Sequence, residues 1–185
     1  MHFSAAFTLA IATLAVAAPL KPRGVLGTAT YDELSISGGV AGDGEAEALA
    51  KLPIDVNDLA NVDAADLAFL GDVNDIANDA EVSVFNPAIE AATGDEKVAL
   101  QNGKTKNKIL KLTATKLELM AKAAQGEDTA AKLAAEQKKL DNNIAADKKA
   151  AGGASTALTF DATAGGNSTS PFESAVTAST EVGSG

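Results

Sequence analysis

The chain has 185 residues, of which 46% are apolar, and its 25 acidic and 15 basic residues give a formal net charge of −10. This length allows one domain with tails, and the apolar fraction excludes a chain that is disordered throughout. The sequence has no cysteine and no tryptophan, only 4% of its residues are aromatic, and its single histidine is His2.

An uncharged apolar run extends from Ala5 to Val16, close to the N-terminus, and ends in a small-x-small pattern at residues 15–17. This combination predicts a signal peptide over residues 1–17, cleavage after Ala17 and secretion of the protein. A buried N-terminal helix is the alternative. The run is shorter than the roughly 20 apolar residues that cross a membrane, and no second run or GPI signal follows, so we expect no transmembrane anchor.

A basic stretch, Lys21-Pro-Arg23, follows the predicted cleavage site. Arg23 is either a second processing site for a basic-directed protease or part of an ordinary exposed segment. We expect residues 18–42 to form a processed or flexible N-terminal arm, ordered or semi-ordered where its glycine-rich part leads into the helices. Leu34 and Ile36 alternate with polar residues there, which weakly indicates a strand.

The helical domain is expected over residues 43–160. Its first helix is predicted from Asp43 to Lys51, with Ala46, Leu49 and Ala50 directed inward, and with Pro53 ending it. A second helix is predicted from about residue 64 to residue 85, because apolar residues recur there at intervals of three or four. Asn86-Pro87 is expected to break that helix.

Two seven-residue segments, 55–61 and 72–78, differ only at Leu59 and Ile76. A pair of short copies does not indicate a solenoid, which needs at least three stacked repeats. The acidic residues around the first copy have the spacing of N-cap and N3 carboxylates, and these are Asp55 with Asp58 and Asp63 with Asp66.

Two more helices are expected, from about residue 88 to 125 and from about 129 to 150, with Gly94 and Gly103 interrupting the first. Their inward stripes are Ala99, Gly103, Leu110, Ala114, Leu117, Ala121 and Ala124, and Leu133, Gln137, Leu140, Ile144 and Lys148. The repeat of about 3.5 residues in the last helix favours shallow crossing angles. The sequence thus predicts an all-α bundle of three to four main helices, followed by a disordered tail over residues 161–185 that is rich in Ser, Thr and Gly.

Charge is distributed unevenly along the chain. Residues 24–96 contain sixteen acidic residues and one lysine, whereas residues 97–149 contain twelve lysines and six acidic residues. Either the acidic helices pack beside the basic ones, or the basic helices contact an anionic surface. Nucleic acid is not expected as a partner, because the chain is acidic and its basic part has neither arginine nor aromatic residues for base recognition.

The composition offers few side chains of the kinds that enzymes use for catalysis. Without His2 the mature chain has no histidine or cysteine, which excludes Ser-His and Cys-His nucleophiles and imidazole or thiolate metal sites. The two Asp-Val-Asn-Asp segments lack the glycine and the final glutamate of a calcium-binding EF-hand loop. The Gly38–Gly44 segment lacks the Lys-Ser/Thr of a phosphate-binding loop. We therefore expect no enzyme activity, no cofactor and no metal site. The sequence Asn-Ser-Thr at Asn167 predicts a site of N-glycosylation.

Several segments of the chain resemble a family of small secreted proteins of filamentous ascomycete fungi, over roughly residues 30–160. They are Tyr31-Asp-Glu-Leu-Ser-Ile-Ser-Gly-Gly39, Gly44-Glu-Ala-Glu-Ala-Leu-Ala50, Ala77-Asn-Asp-Ala-Glu81, Phe85-Asn-Pro-Ala-Ile-Glu-Ala-Ala-Thr-Gly94, Lys111-Leu-Thr-Ala-Thr115, Ala124-Gln-Gly-Glu-Asp128 and Leu140-Asp-Asn-Asn-Ile144. The resemblance implies an extracellular, effector-like or cell-surface role and no established catalytic residue.

The expected function is therefore a non-catalytic interaction outside the cell, with an extracellular protein or a cell-wall or surface component as partner. The alternative is an amphipathic helical protein that binds lipid or hydrophobic surfaces peripherally, with its Leu, Ile and Ala stripes opening outward.

Overall fold

The structure is a computed structural model and describes residues 24–165. The predicted signal peptide with Ala17, the basic residue Arg23 and the glycosylation site Asn167 therefore lie outside the described residues. Within that range the elements follow one another as β1 (Ala29–Thr30), α1 (Tyr31–Leu34), β2 (Gly39–Val40), α2 (Gly44–Lys51), a 3-10 turn (Leu59–Asn61), α3 (Ala64–Ala80), a π-helical turn (Glu81–Phe85), α4 (Asn86–Ala91), α5 (Gly94–Ala124), α6 (Ala130–Lys149), β3 (Ala154–Ser155) and β4 (Thr163–Ala164).

The longest helix, α5, lies at the centre of the bundle, and α2, α3 and α6 all pack against it. Its apolar residues recur at three or four positions, so the buried side chains of Leu110, Ala114 and Leu117 form one continuous face. The main core joins this face to Leu70 and Val73 of α3 and to other buried side chains. The prediction of a small all-α bundle with three to four main helices is confirmed.

Part of the expected N-terminal arm belongs to the fold. Thr30 caps α1 in a capping box, in which it accepts a hydrogen bond from the Glu33 backbone N–H at 3.3 Å and its own N–H donates to the Glu33 carboxylate at 2.8 Å. Tyr31 and Leu34 of this single turn are buried in the core. The strand expected around Leu34 and Ile36 is wrong, because Leu34 ends α1 and Ile36 lies in irregular chain.

Two short antiparallel strand pairs join the two ends of the described chain. Ala29 pairs with Ala164 in β1 and β4, and Gly39 pairs with Ser155 in β2 and β3. Residues 161–165 were expected to begin the disordered tail, yet Ala162 and Ala164 are buried in the core. The composition of this segment did not predict that it pairs with β1, because β1 lies more than a hundred residues earlier in the chain.

The predicted bounds of α2 are nearly correct, but its predicted inward face is wrong. Ala46, Leu49 and Ala50 are exposed, whereas Gly44 and Ala48 are buried. A Cβ at Gly44 would lie 3.0 Å from the Ile109 side chain. The small residues Gly44 and Ala48 therefore form the buried side of α2, which lets this helix approach α5 closely.

The repeated segments adopt different structures. The first copy forms a turn, in which the Asn57 N–H donates to the Asp55 carboxylate at 2.9 Å, and then a 3-10 turn. The second copy lies entirely within α3. Asp63 caps α3 as predicted, accepting from the Ala65 N–H at 2.8 Å. Asp66 does not cap this helix; it is buried and accepts from the Leu26 N–H at 2.7 Å, which attaches the N-terminal arm.

The predicted break at Asn86-Pro87 does not occur. The chain keeps right-handed helical angles through the π-helical turn and α4, and the helix ends only at Ala92 with ψ of 157°. In the wider turn the Asn86 N–H donates to the carbonyl of Glu81, five residues earlier. Pro87 lies in the first turn of α4. There its missing N–H is tolerated, so the proline shifts the hydrogen-bond pattern without ending the helix.

The two glycines predicted to interrupt the third helix have other roles. Gly94 is the first residue of α5 and has a φ of +57°, which favours glycine. Gly103 lies within the unbroken helix, where a Cβ would overlap the carbonyl oxygen of Thr156. Its missing side chain lets the segment after β3 lie against α5, where the Thr156 N–H donates to the Ala99 carbonyl at 3.0 Å.

Candidate functional site

A polar groove runs between α3 and α6 with α5 as its floor, and its volume is about 600 Å³. It exists because α3 and α6 each pack along α5 and make their main contacts with α5. The three helices line it mainly with carboxylates, lysines and amides. The lining residues are Gly71, Asn74, Asp75, Asn78, Lys108, Lys111, Leu112, Thr115, Glu118, Lys132, Glu136, Lys139 and Asn143. We call this the polar groove.

Hydrogen bonds between α3 and α5 hold the floor of the polar groove. The Asn74 side-chain amide donates to the Thr115 hydroxyl at 2.6 Å, and that hydroxyl donates to the Lys111 carbonyl at 3.0 Å. Gly71 forms part of the α3 wall, and a Cβ there would meet nothing within 4 Å. The wall is therefore open at this position because glycine has no side chain to fill the space.

Charges of both signs lie in or beside the polar groove. Lys108 and Lys111 of α5 contact the Glu81 carboxylate at 3.5 and 3.1 Å. On α6, Lys139 pairs with Glu136 at 2.8 Å. These pairs satisfy part of the charge, whereas Lys132 has no ion pair among the described residues.

Asp75 lies on the α3 wall among other acidic residues. Partial burial raises the pKa of its carboxyl above the ordinary value, and the negative charges of Asp79, Asp72 and Glu118 raise it further. On the α5 floor, the Lys122 ammonium donates a hydrogen bond to the Glu118 carboxylate, and this hydrogen bond raises the pKa of Lys122. The groove thus contains one carboxyl group, that of Asp75, whose pKa is raised by partial burial and by neighbouring negative charges.

A buried hydrogen-bond network joins α5 to α3, two of the three helices that form the polar groove. The Tyr31 hydroxyl donates to the Asn107 side-chain oxygen at 2.8 Å, and the Asn107 amide donates to the Ala77 carbonyl at 2.8 Å. Burial raises the pKa of the Tyr31 phenol. This chain of bonds connects α1, α5 and α3, so it holds the α3 wall against the floor that α5 forms.

The match to a protein-family model covers most of this fold. Residues 26–159 match the family described as "Domain of unknown function (DUF8454)". The chain belongs to this family. The matched range extends from the segment bonded by Asp66 to the segment after β3, and it contains the polar groove and the buried network. No curated protein and no solved structure matches the chain.

The sequence analysis assigned no residue of the polar groove to a binding site. No group of three or more His, Cys, Asp or Glu side chains that could hold a metal ion occurs among residues 24–165. No helix in the same range is long and apolar enough to cross a membrane. The internal repeat did include groove residues. Its second copy, which lies in α3, contains Asn74, Asp75 and Asn78 on the polar face of that helix.

Proposed function

We propose that this member of the family is a secreted protein that binds a partner outside the cell without catalysing a reaction, and that the polar groove is its binding surface. The signal-peptide pattern ending at Ala17 supports secretion, and the lack of histidine and cysteine beyond His2 argues against catalysis. The partner would be an extracellular protein or a cell-wall or surface component, in an effector-like or wall-associated role.

The chemistry of the polar groove is the observation that carries this proposal. Ammonium groups, carboxylates and amides converge from three helices on an open concavity, and such groups recognise the amides of a peptide or the hydroxyls of a polysaccharide. Within residues 24–165, Lys132 has no ion pair, and the Asn143 side chain on the same wall donates only to the Lys139 carbonyl of its own helix. These side chains can therefore bind a partner without giving up a bond that holds the bundle.

Gly71 allows the polar groove to be filled without disturbing the core. Gly71→Gln places a neutral polar side chain in open space, and Gly71→Ala is the matched control that leaves the groove open. The mature protein and both variants are immobilised and incubated with host extracellular fluid and with insoluble fungal wall. We expect the mature protein and the alanine variant to retain the same partner and the glutamine variant to lose it.

The proposal is contradicted if the glutamine variant retains that partner equally well, or if none of the three proteins retains anything above a blank resin. Both variants should be at least as stable as the parent, because glycine within a helix is less stable than alanine by about 0.5–1 kcal/mol. Thermal unfolding of each protein shows whether a loss of binding is a loss of folding.

One observation favours the alternative function, peripheral binding to lipid or hydrophobic surfaces. Leu140 is the only fully buried apolar side chain of α6, so little apolar area holds this helix to the bundle. Detachment of α6 would expose Leu117 and neighbouring side chains of α5. Partition to liposomes or hydrophobic beads, accompanied by a change in circular dichroism, would support this alternative, and partition without rearrangement or no partition would exclude it.

A further inference from the structure

A second concavity lies on the side of α5 that α2 and α6 cover, and its volume is about 230 Å³. We call it the apolar groove. Leu117 and Met120 of α5 and Leu140 of α6 line it. Leu49 and Val56 stand at its edge, where they are 45% and 52% exposed. It is smaller than typical drug-sized ligand sites of about 300–1,000 Å³, so any ligand that it encloses is small.

Thr113 lines the apolar groove and is only 2% exposed. Its hydroxyl has no hydrogen-bond partner among the described residues. Helical threonines commonly donate to the carbonyl four residues earlier, and Thr105 and Thr115 of the same helix do so, to Gln101 and Lys111 at 3.0 Å. A buried hydroxyl without a partner is unfavourable, and its position in a groove indicates that a ligand supplies the missing bond.

Two charged residues, Glu45 of α2 and Lys116 of α5, also line the apolar groove. Neither takes part in an ion pair within residues 24–165. Each of them attracts the charge that the other repels, so the pair itself does not choose between charged head groups. A charged head group bonded to the buried Thr113 hydroxyl would lose its hydration, which favours an uncharged ligand.

We propose that the apolar groove binds a small, uncharged apolar molecule that carries a single hydroxyl or carbonyl group, and that Thr113 is its hydrogen-bond partner. This site goes beyond the proposed function, because it uses the other side of α5 and residues that the polar groove does not contain. Either site can exist without the other.

Three eight-carbon probes that differ only in their head group test the choice of ligand. Octanol, octanoate and octylammonium are titrated separately into the mature protein, and amide chemical shifts are followed by NMR. We expect octanol to shift the amides of residues 49, 56, 113 and 117, and to bind about tenfold more tightly than either charged probe. Equal or tighter binding of a charged probe, or no binding of octanol up to its solubility limit, would overturn the proposal.

Two variants of Thr113 test the hydrogen bond. Thr113→Val keeps the shape but removes the hydroxyl, and should lower octanol affinity severalfold while leaving the fold intact, because the lost hydroxyl had no partner. Thr113→Ser keeps the hydroxyl and should keep the affinity. If the Thr113→Val variant binds octanol as tightly as the parent protein does, Thr113 is not the hydrogen-bond partner and the proposal fails.

The edge of the groove offers a matched pair of exposed valines. Val56 is 52% exposed at the apolar groove, and Val82 is 57% exposed in the π-helical turn, outside it. Val56→Ser should weaken octanol binding, and Val82→Ser should not. Equal weakening in both variants would show that octanol binds to exposed apolar surface in general, which would also overturn the proposal.

Discussion

At the scale of single residues, the Tyr31–Asn107–Ala77 network joins three helices through buried polar groups. Asn107 is fully buried, and both ends of its amide are hydrogen-bonded. Asn107→Leu would remove the oxygen that accepts from the Tyr31 hydroxyl and the amide that donates to the Ala77 carbonyl. Stranding a buried polar group costs about 1–3 kcal/mol, so the free energy of unfolding should fall by about that amount.

Urea denaturation followed by circular dichroism measures this loss. Asn142→Leu is the matched control, because Asn142 is an exposed residue of α6. It should change the free energy of unfolding by no more than about 0.5 kcal/mol. Equal effects of the two substitutions would mean that the buried network contributes nothing of its own.

Tyr31 also predicts how stability depends on pH. It is the only tyrosine, and burial raises its pKa above the ordinary value of 10.0. The unfolded chain therefore loses this proton at a lower pH than the folded one. Stability is fully present below about pH 10 and is lost as the pH rises from the unfolded towards the folded pKa.

An alkaline titration tests this linkage, because tyrosinate absorbance reports Tyr31 alone. We expect the absorbance to rise together with the loss of helical circular dichroism. Ionisation near pH 10 in a chain that keeps its full helical signal would show that the phenol is accessible to solvent in the folded state, contrary to its buried position.

At the scale of elements, α6 depends on very few core contacts. Leu140 is 1% exposed and packs in the main core, whereas Leu133 of the same helix is only half-buried. Leu140→Ala should lower the free energy of unfolding by about 2–5 kcal/mol, as expected for a leucine removed from a close-packed core. Leu117→Ala on the facing helix should have an effect of the same size.

Chemical denaturation of the two alanine variants, with Leu133→Ala as the less buried control, measures these differences. The control should lose clearly less stability than either core variant. A similar loss at all three positions would mean that α6 makes no specific contact through Leu140. Neither a reducing agent nor a chelator is expected to alter any of the unfolding curves.

At the scale of the whole molecule, ion pairs connect the acidic and the lysine-rich parts of the chain. The buried Lys106 ammonium contacts the Glu47 carboxylate at 2.8 Å and donates to the Gly38 carbonyl at 2.8 Å. Lys108 and Lys111 contact Glu81. These contacts favour packing of the acidic helices beside the basic ones over a basic surface turned towards solvent.

A charge-reversal cycle measures this attraction. Glu81→Lys and Lys111→Glu should each lower the free energy of unfolding, and the double variant should recover part of the loss because it restores an opposite-charge pair. The recovery should be well under about 1 kcal/mol for partly exposed groups, and should shrink as salt is raised to about 1 M. Urea denaturation at low and high salt provides the values, and simple additivity would show that the two parts do not attract each other through this pair.

Several features followed from the sequence alone. The long helices α3, α5 and α6 begin and end within a few residues of their predicted limits, apart from the early part of the third stretch, because apolar residues recur at helical intervals over many turns. The predicted inward residues Leu110, Ala114, Leu117 and Leu140 are buried, whereas Ala124 and Lys148, also predicted to face inward, are exposed. The absence of cysteine likewise determined that helix packing, rather than disulfides, holds the domain together.

Tertiary contacts decided the rest. Segments 55–61 and 72–78 are nearly identical, yet one forms turns and the other a helix, because seven residues cannot set their own conformation against the packing around them. Tyr31 and Ala164 are buried by partners that lie far away in the chain. Both grooves likewise form between helices that are distant in sequence. Local periodicity fixes which residues can be helical, but only the packing of α2, α3 and α6 on α5 determines which polar side chains meet and where space remains between them.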